Sequence, residues 1–279
     1  MTQSFLFPPL SISSWQPTRD TIHDYARLLG KIRGGLTPEQ KHFWHVSLQV
    51  TAVGLTTTPL LVGDKTAEFS LDFTNHCLNI QTSRGESIQI ALHGQSPAAL
   101  CTETDAAMIE LSFTADYDRS LFTNDSDGVY DKTAVSNYWQ ALSHIDVIFK
   151  QFRHSFREES SPVQLWPHHF DLALLWFSGR LVSDQDPANP EIADEQMNFG
   201  FVPGDASIAE PYFYATTYPT PDKITEEPLP QDAYWHTEEW TGAILPYASL
   251  TQAEKPSSKL LDYLHNTHQA GKKWMENSA

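Results

Sequence analysis

The sequence predicts an α+β protein in which antiparallel sheets pack against helices. Three observations carry that expectation. Apolar residues recur at helical spacing in several segments and alternate at strand spacing in others. Short links join consecutive strands in places, which favours antiparallel pairing. The 279 residues are 40% hydrophobic and 12% aromatic, enough for a sizeable core in one large domain or two small ones, and too many to leave the chain disordered.

The elements follow in order. Ile22, Tyr25, Ala26, Leu29 and Ile32 share one face of a helix over Thr18 to Arg33, with Thr18 or Asp20 as cap and Gly34-Gly35 as stop. His42 to Val53 reads as a strand, because Trp44, Val46, Leu48 and Val50 alternate with His45, Ser47, Gln49 and Thr51. Phe69 to Phe73 alternates again. Leu78 and Ile80, the turn Ser83-Arg84-Gly85-Glu86, then Ile88, Ile90 and Leu92 read as a hairpin. Ser96-Pro97 opens a helix to about Glu110. The strongest helical stripe spans Thr133 to Phe156, with Lys150, Arg153 and Arg157 near its end where cations suit the dipole. Phe170 to Trp176, Phe199 to Val202, Tyr212 to Tyr218 and Ala243 to Tyr247 are further strands, and Ser257 to Met275 is a final helix.

The two halves rhyme. Each runs helix, loop, aromatic-rich strand, strands, helix, so the chain reads as two tandem α-β-β-β-α units. The halves would be residues 1–125 and 126–279, the second with an acidic, Pro-rich excursion at 181–240; the alternative is a single compact domain.

Composition narrows the function. The formal charge is −17, which disfavours nucleic acid, whose binders need a basic footprint. Leu181 to Trp240 carries thirteen acidic residues, one basic residue (Lys223) and eight prolines. The favoured reading is a solvated, turn-rich stretch; the sharper one is an acidic surface that receives a basic protein partner. Cys77 and Cys101 are too few for a disulfide framework. The start lacks a basic region and a long apolar stretch, and no apolar run would span a bilayer, so a soluble, cytoplasmic protein away from membranes is expected.

Twelve histidines invite a search for metal sites. On a strand, His42 and His45 point to opposite faces, as do the adjacent His168 and His169, so neither pair grips an ion and no metal or cofactor is expected. His169 shares a face with Asp171, which could orient an imidazole for general-base work. The slightly favoured alternative is that Asp171 is a satisfied structural carboxylate. Asp72 and His76 form a second polar pair with the same ambiguity. Basic residues are scarce, so Arg19, Lys31, Arg33, Arg153, Arg157 and Arg180 stand out as groups that can hold a carboxylate or phosphate, the arginines in bidentate fashion. Pairing with local carboxylates is held equal to that reading. No phosphate loop, dinucleotide fingerprint or nucleophile elbow is present.

Trp15-Gln16-Pro17-Thr18-Arg19-Asp20-Thr21, Gly30-Lys31-Ile32-Arg33, His42-Phe43-Trp44-His45, Gly54-Leu55-Thr56-Thr57, Phe170-Asp171-Leu172-Ala173 and Phe177-Ser178-Gly179-Arg180 occur in that order. Gly200-Phe201-Val202-Pro203-Gly204, Phe213-Tyr214-Ala215 and Leu245-Pro246-Tyr247 continue the series. In these stretches the chain resembles domain-of-unknown-function family 5996, a bacterial family, over nearly its whole length. The resemblance implies one homologous unit and no particular activity. Family members usually carry histidine where this chain has Asp127, Gln164 and Asp194. The retained set is Arg19, Lys31, Arg33, His42, Trp44, His45, Asp72, His76, Asp171 and Arg180.

The leading functional expectation is a small polar or anionic ligand in a pocket between the related halves, lined by that set and by aromatics such as Trp166. The alternative is a non-enzymatic interaction protein with an acidic surface. A metal-dependent hydrolase is a third option, resting on the histidine count alone.

Overall fold

The structure is a computed structural model that describes residues 7–277. It is an α+β fold with two antiparallel sheets of six strands each. The chain divides into two compact units. The first comprises residues 13–139 and 164–170; the second comprises the described residues up to 12, residues 140–163 and those from 171 onward.

The first unit opens with α1 (Ile12–Leu36), which buries Trp15, Ile22, Tyr25, Leu29 and Ile32. Gly34-Gly35 does not stop this helix, which runs through both residues to Leu36. The glycine answers a packing need instead. A Cβ at Gly35 would lie 2.0 Å from the Asp116 carbonyl oxygen, so only a bare Cα lets that segment pass. The predicted strand from His42 is a second correction. Lys41–Val46 is a 3₁₀ turn, with His42 and Phe43 at φ of 52° and 56°.

Strands β1 (Gln49–Val50), β2 (Gly54–Thr56), β3 (Leu60–Val62), β4 (Lys65–Asp72), β5 (Cys77–Thr82) and β6 (Ser87–Ala91) follow. Their order is β1-β2-β4-β5-β6, with β3 also paired to β4. The predicted hairpin is β5–β6, turning at Gly85 with φ +82°. Helix α2 (Pro97–Glu110) starts as expected: the Ser96 hydroxyl accepts from the Ala99 N–H and Pro97 occupies the first turn. Helix α3 (Lys132–Arg153) brings Tyr138 onto Trp15, ring centroids 4.9 Å apart, and onto Phe170 at 5.5 Å. Strand β7 (Gln164–Trp166) bridges to the chain after the 3₁₀ turn, since Leu48 and Leu165 exchange both main-chain hydrogen bonds at 2.8 Å.

In the second unit, α3 continues from Gln140. Then come β8 (Asp171–Leu181), α4 (Pro190–Ala193), β9 (Asp194–Val202), β10 (Tyr212–Tyr218), β11 (Tyr234–His236), β12 (Gly242–Pro246), α5 (Ala248–Thr251) and α6 (Pro256–Asn277). The strands of this unit run β11-β12-β10-β9-β8. Phe149, Phe152, Phe199, Phe213 and Tyr247 form an aromatic core, with Phe152 edge-on to Phe199 at 5.0 Å. The acidic, Pro-rich stretch contributes β9, β10 and β11 with deeply buried Phe199, Phe201 and Phe213; its acidic residues lie in the connections, in α4 and at the start of β9, where Glu195 is mostly buried against Arg180. Each half of the chain thus carries six strands where three were expected.

One side chain spans three strands. Tyr214 on β10 pairs with Gly200 on β9, which pairs with Ala173 on β8. The Tyr214 ring lies over the glycine, and its hydroxyl donates to Asp171 Oδ2 on β8 at 2.6 Å. A Cβ at Gly200 would sit 2.3 Å from the ring. Gly200→Ala is therefore expected to displace Tyr214, break its hydrogen bond to Asp171 and cost about 2–4 kcal/mol. Urea denaturation reads this as a lower midpoint, and an unchanged midpoint would show that the tyrosine bridge is dispensable.

Candidate functional site

The end of α1 gathers a dense polar cluster in the first unit. Helix α1 meets the turn after β7 closely at Gly30, where a Cβ would lie 2.7 Å from Pro167 Cγ. His23 holds the same turn, donating from Nε2 to the Pro167 carbonyl at 2.9 Å and stacking on Phe170 at 5.0 Å. Burial lowers the His23 pKa, against the raising effect of the His168 and Pro167 carbonyls.

One helical turn beyond Gly30 stands Arg33. Its Nη1 donates to the main-chain carbonyls of Trp44 and Ser47 and to the Ser47 hydroxyl at 3.0 Å. Burial depresses its pKa. Those two carbonyls converge on one guanidinium, so the segment cannot present them alternately to a neighbouring strand. This is why Lys41–Val46 turns despite its strand-like pattern. The Ser47 hydroxyl donates to Gln164 Oε1 at 2.7 Å, and Gln49 Nε2 approaches the same oxygen at 3.4 Å. His45 Nδ1 accepts from the Gln40 N–H at 3.2 Å, and Lys41 Nζ lies 5.3 Å from the Trp44 ring centre.

Four polar atoms here are buried without a hydrogen-bond partner: Arg33 Nε, Thr37 Oγ1, Trp44 Nε1 and Gln164 Nε2. Three are N–H donors and the fourth is a hydroxyl. Two consecutive residues of the turn, His42 and Phe43, hold left-handed backbone that side chains with a Cβ disfavour. Phe43 is exposed at the tip.

The residues singled out from sequence are distributed as follows. Arg33, His42, Trp44 and His45 come together in this cluster. Lys31 is exposed on α1, and Trp166 lies half-buried two residues beyond Gln164. Arg19 pairs with its neighbour Asp20 at 2.8 Å. Asp72 and His76 do not bond each other. Burial pushes the Asp72 carboxyl up, but hydrogen bonds from Asn75 and Thr74 outweigh it and hold the pKa below the usual value. His76 Nδ1 instead faces the Tyr130 hydroxyl at 3.2 Å, its pKa lowered by burial and by Lys132.

Asp171 and Arg180 belong to the second unit. Asp171 accepts from Tyr214. Arg180 sits in the bulge of β8 around Gly179 (φ +81°), and its Nε donates to Glu195 at 2.9 Å. Other acids of the 181–240 stretch are likewise paired within that unit, Glu227 with Lys273 and Asp232 with Lys259. Among the described residues no group of three or more His, Cys, Asp or Glu could hold a metal ion, and no helix is long and apolar enough to cross a membrane.

Sequence reasoning missed Ser47, Thr37 and the role of Gln164 as one cluster. Nothing local in the sequence tied Gln164 to Ser47, 117 residues away.

The fold and this site define an α+β protein with a buried, donor-rich cluster at the end of a long helix. The chain belongs to the family of unknown function DUF5996, whose family model matches residues 7–277. No curated protein and no solved structure matches it.

Two outcomes follow from this geometry. Ser47→Ala removes the hydroxyl that joins Arg33 to Gln164 and leaves the amide oxygen with its weaker contact alone. It is expected to lower stability by about 1–3 kcal/mol in urea denaturation; a change under about 0.5 kcal/mol would mean that the cluster does not hold the turn. In the second unit, His268 is packed against Phe156 at 4.8 Å and Trp176 at 4.9 Å, and its pKa falls to about 4 through burial and the nearby Lys272. The folded state keeps this ring neutral, whereas the unfolded chain protonates it near 6.5. Its contribution is therefore complete above that pH and lost as pH falls from about 6.5 to about 4. Between those values, His268→Gln should flatten the slope of unfolding free energy against pH by up to about 1.4 kcal/mol per pH unit. Equal slopes would place the ring in water.

Proposed function

We propose that the chain binds a small carboxylate-bearing molecule on Arg33, Trp44 and Gln164. The observation that carries this reading is that Arg33, Trp44 and Gln164, joined through the Trp44 carbonyl and the Ser47 hydroxyl, each keep a buried N–H donor without a partner. Buried donors are normally satisfied, and leaving several unmet costs about 1–3 kcal/mol each. A carboxylate offers up to four acceptor sites and one negative charge. The guanidinium supplies the charge complement through its unused Nε, while the indole and amide N–H groups fix the orientation of the anion. Indole donates only, which selects against a cation or a pure donor at that point. The kinked backbone at His42 and Phe43 is the element whose adjustment admits the ligand, because it stores strain at the exposed rim of the cluster.

Titration calorimetry against small mono- and dicarboxylates, with inorganic phosphate as a competing anion, tests the proposal. The expected result is saturable binding of a carboxylate that Trp44→Phe weakens about tenfold or more, the equivalent of ~1.4 kcal/mol. Trp44→Phe keeps an aromatic ring but removes the indole N–H together with its five-membered ring, so a urea midpoint near wild type is the control that separates a lost donor from a folding defect. Absence of binding at millimolar carboxylate, or identical affinity in that variant, overturns the reading.

A further inference from the structure

We propose that the β6–α2 groove of the first unit binds an extended basic segment of another protein as an added antiparallel strand. This surface is separate from the Arg33 cluster and does not depend on it.

Strand parity decides which main-chain groups of β6 face away from β5. The Leu92 N–H donates to the His76 carbonyl at 2.8 Å and the Thr82 N–H to the Glu86 carbonyl at 2.9 Å. With the β5–β6 register, the bonded pairs are therefore Leu78 with Ile90 and Ile80 with Ile88. The intervening residues Ser87, Gln89 and Ala91 turn their main-chain groups away from β5. Strand β6 is the last in its sheet, so these groups face outward. The Ala91 carbonyl is taken by Gln95 Nε2 at 2.7 Å. Ser87 and Gln89 keep both N–H and carbonyl open to a new strand, and Ala91 keeps its N–H. Natural edges are usually blunted by charge, proline or a bulge. Ser87-Ile88-Gln89-Ile90-Ala91 carries none of these.

A groove of about 480 Å³ runs between this edge and α2. Half-buried Ile88 and Ile90 line one wall. The other wall is the face of α2 that carries Glu103, Ala106 and Glu110. Positions three and seven apart lie on one helical face, so the two exposed carboxylates stand about 10 Å apart with a small residue between them. Alanine leaves room for a backbone, and the isoleucines and carboxylates specify its side chains. On a strand, same-face residues recur about every 7 Å, so cations on either side of one apolar residue stand about 14 Å apart at the backbone, a span that long flexible lysine side chains narrow to the carboxylate separation. The matching segment is thus basic, any, apolar, any, basic, with its apolar residue over Ala106 and the isoleucines, and its cations on Glu103 and Glu110. Neither glutamate forms an ion pair among the described residues, so both remain available. Strand addition of this kind draws affinity from main-chain bonds and specificity from alternate side chains. A second copy of this chain is a poor occupant, because each copy carries −17.

The probe is a fluorescein-labelled Thr-Lys-Thr-Ile-Thr-Lys-Thr peptide, titrated with the full chain by anisotropy at low and at physiological salt. Saturable binding that weakens with salt is expected. Glu103→Lys/Glu110→Lys should weaken it at least tenfold and restore binding of the same peptide with Glu in place of Lys. Gln89→Pro removes an outward N–H without touching the β5 ladder, so it should abolish binding and leave thermal unfolding near wild type. No binding by the wild-type chain overturns the proposal, as does binding indifferent to the glutamate reversals. Concentration-dependent dimerisation in sedimentation that Gln89→Pro abolishes would assign the edge to a second copy and overturn it as well.

Discussion

Burying a guanidinium obliges the chain around it to supply acceptors, and Arg33 imposes that requirement on the first unit. Its Nη1 draws in the carbonyls of Trp44 and Ser47. That convergence folds Lys41–Val46 into a turn and delivers the Ser47 hydroxyl to Gln164. Leu48 then pairs with Leu165, which aligns the chain leading into β1 with β7. The glycine at position 30 belongs to the same arrangement, since it lets Pro167 approach the helix that carries Arg33. A charge with partial partners in a low-dielectric setting is costly to leave alone and strongly directional once partnered. One long side chain therefore organises a helix end, a turn and a strand that are distant in sequence.

The same economy of polar groups appears in the second unit with a different chemistry. There Tyr214 crosses a glycine to reach Asp171, so a phenol joins the outer two of three neighbouring strands. Its own ionisation is pushed far up by burial and by the adjacent carboxylate. Asp171 accepts the Tyr214 hydrogen bond inside the sheet, on β8, and does not share a strand face with His169. His169 lies in the turn before β8 and belongs to the other unit. The lesson is that a carboxylate and an imidazole two positions apart share a face only if both are on the strand. Phe170, at φ 59°, breaks it between them.

Much of the fold was legible in the sequence. The stripes of α3 and α6, the Ser96-Pro97 start of α2 and the β5–β6 hairpin all rest on interactions within a few residues, which is the range that periodicity and capping report. Lys41–Val46 was not legible, because its alternation of Trp44, Val46, Leu48 and Val50 satisfies a strand equally well. Gly34-Gly35 was misread for a related reason. A glycine pair ends a helix when the chain needs left-handed backbone, but here it admits the Asp116 segment against the helix side. The candidate site was half legible: Arg33, His42, Trp44 and His45 lie close in sequence, whereas Ser47 and Gln164 meet only through β7.

The sequence by itself determined the class of fold, the family, the acidic balance and the positions of the long amphipathic helices, since each is set by local pattern or by composition. Tertiary structure alone decided which polar residues meet, which carboxylates are already paired and which strand is left at an edge. Those outcomes depend on register and on buried hydrogen-bond partners far apart along the chain. Shifting a strand by one residue exchanges its two faces, and no local window of sequence records that choice.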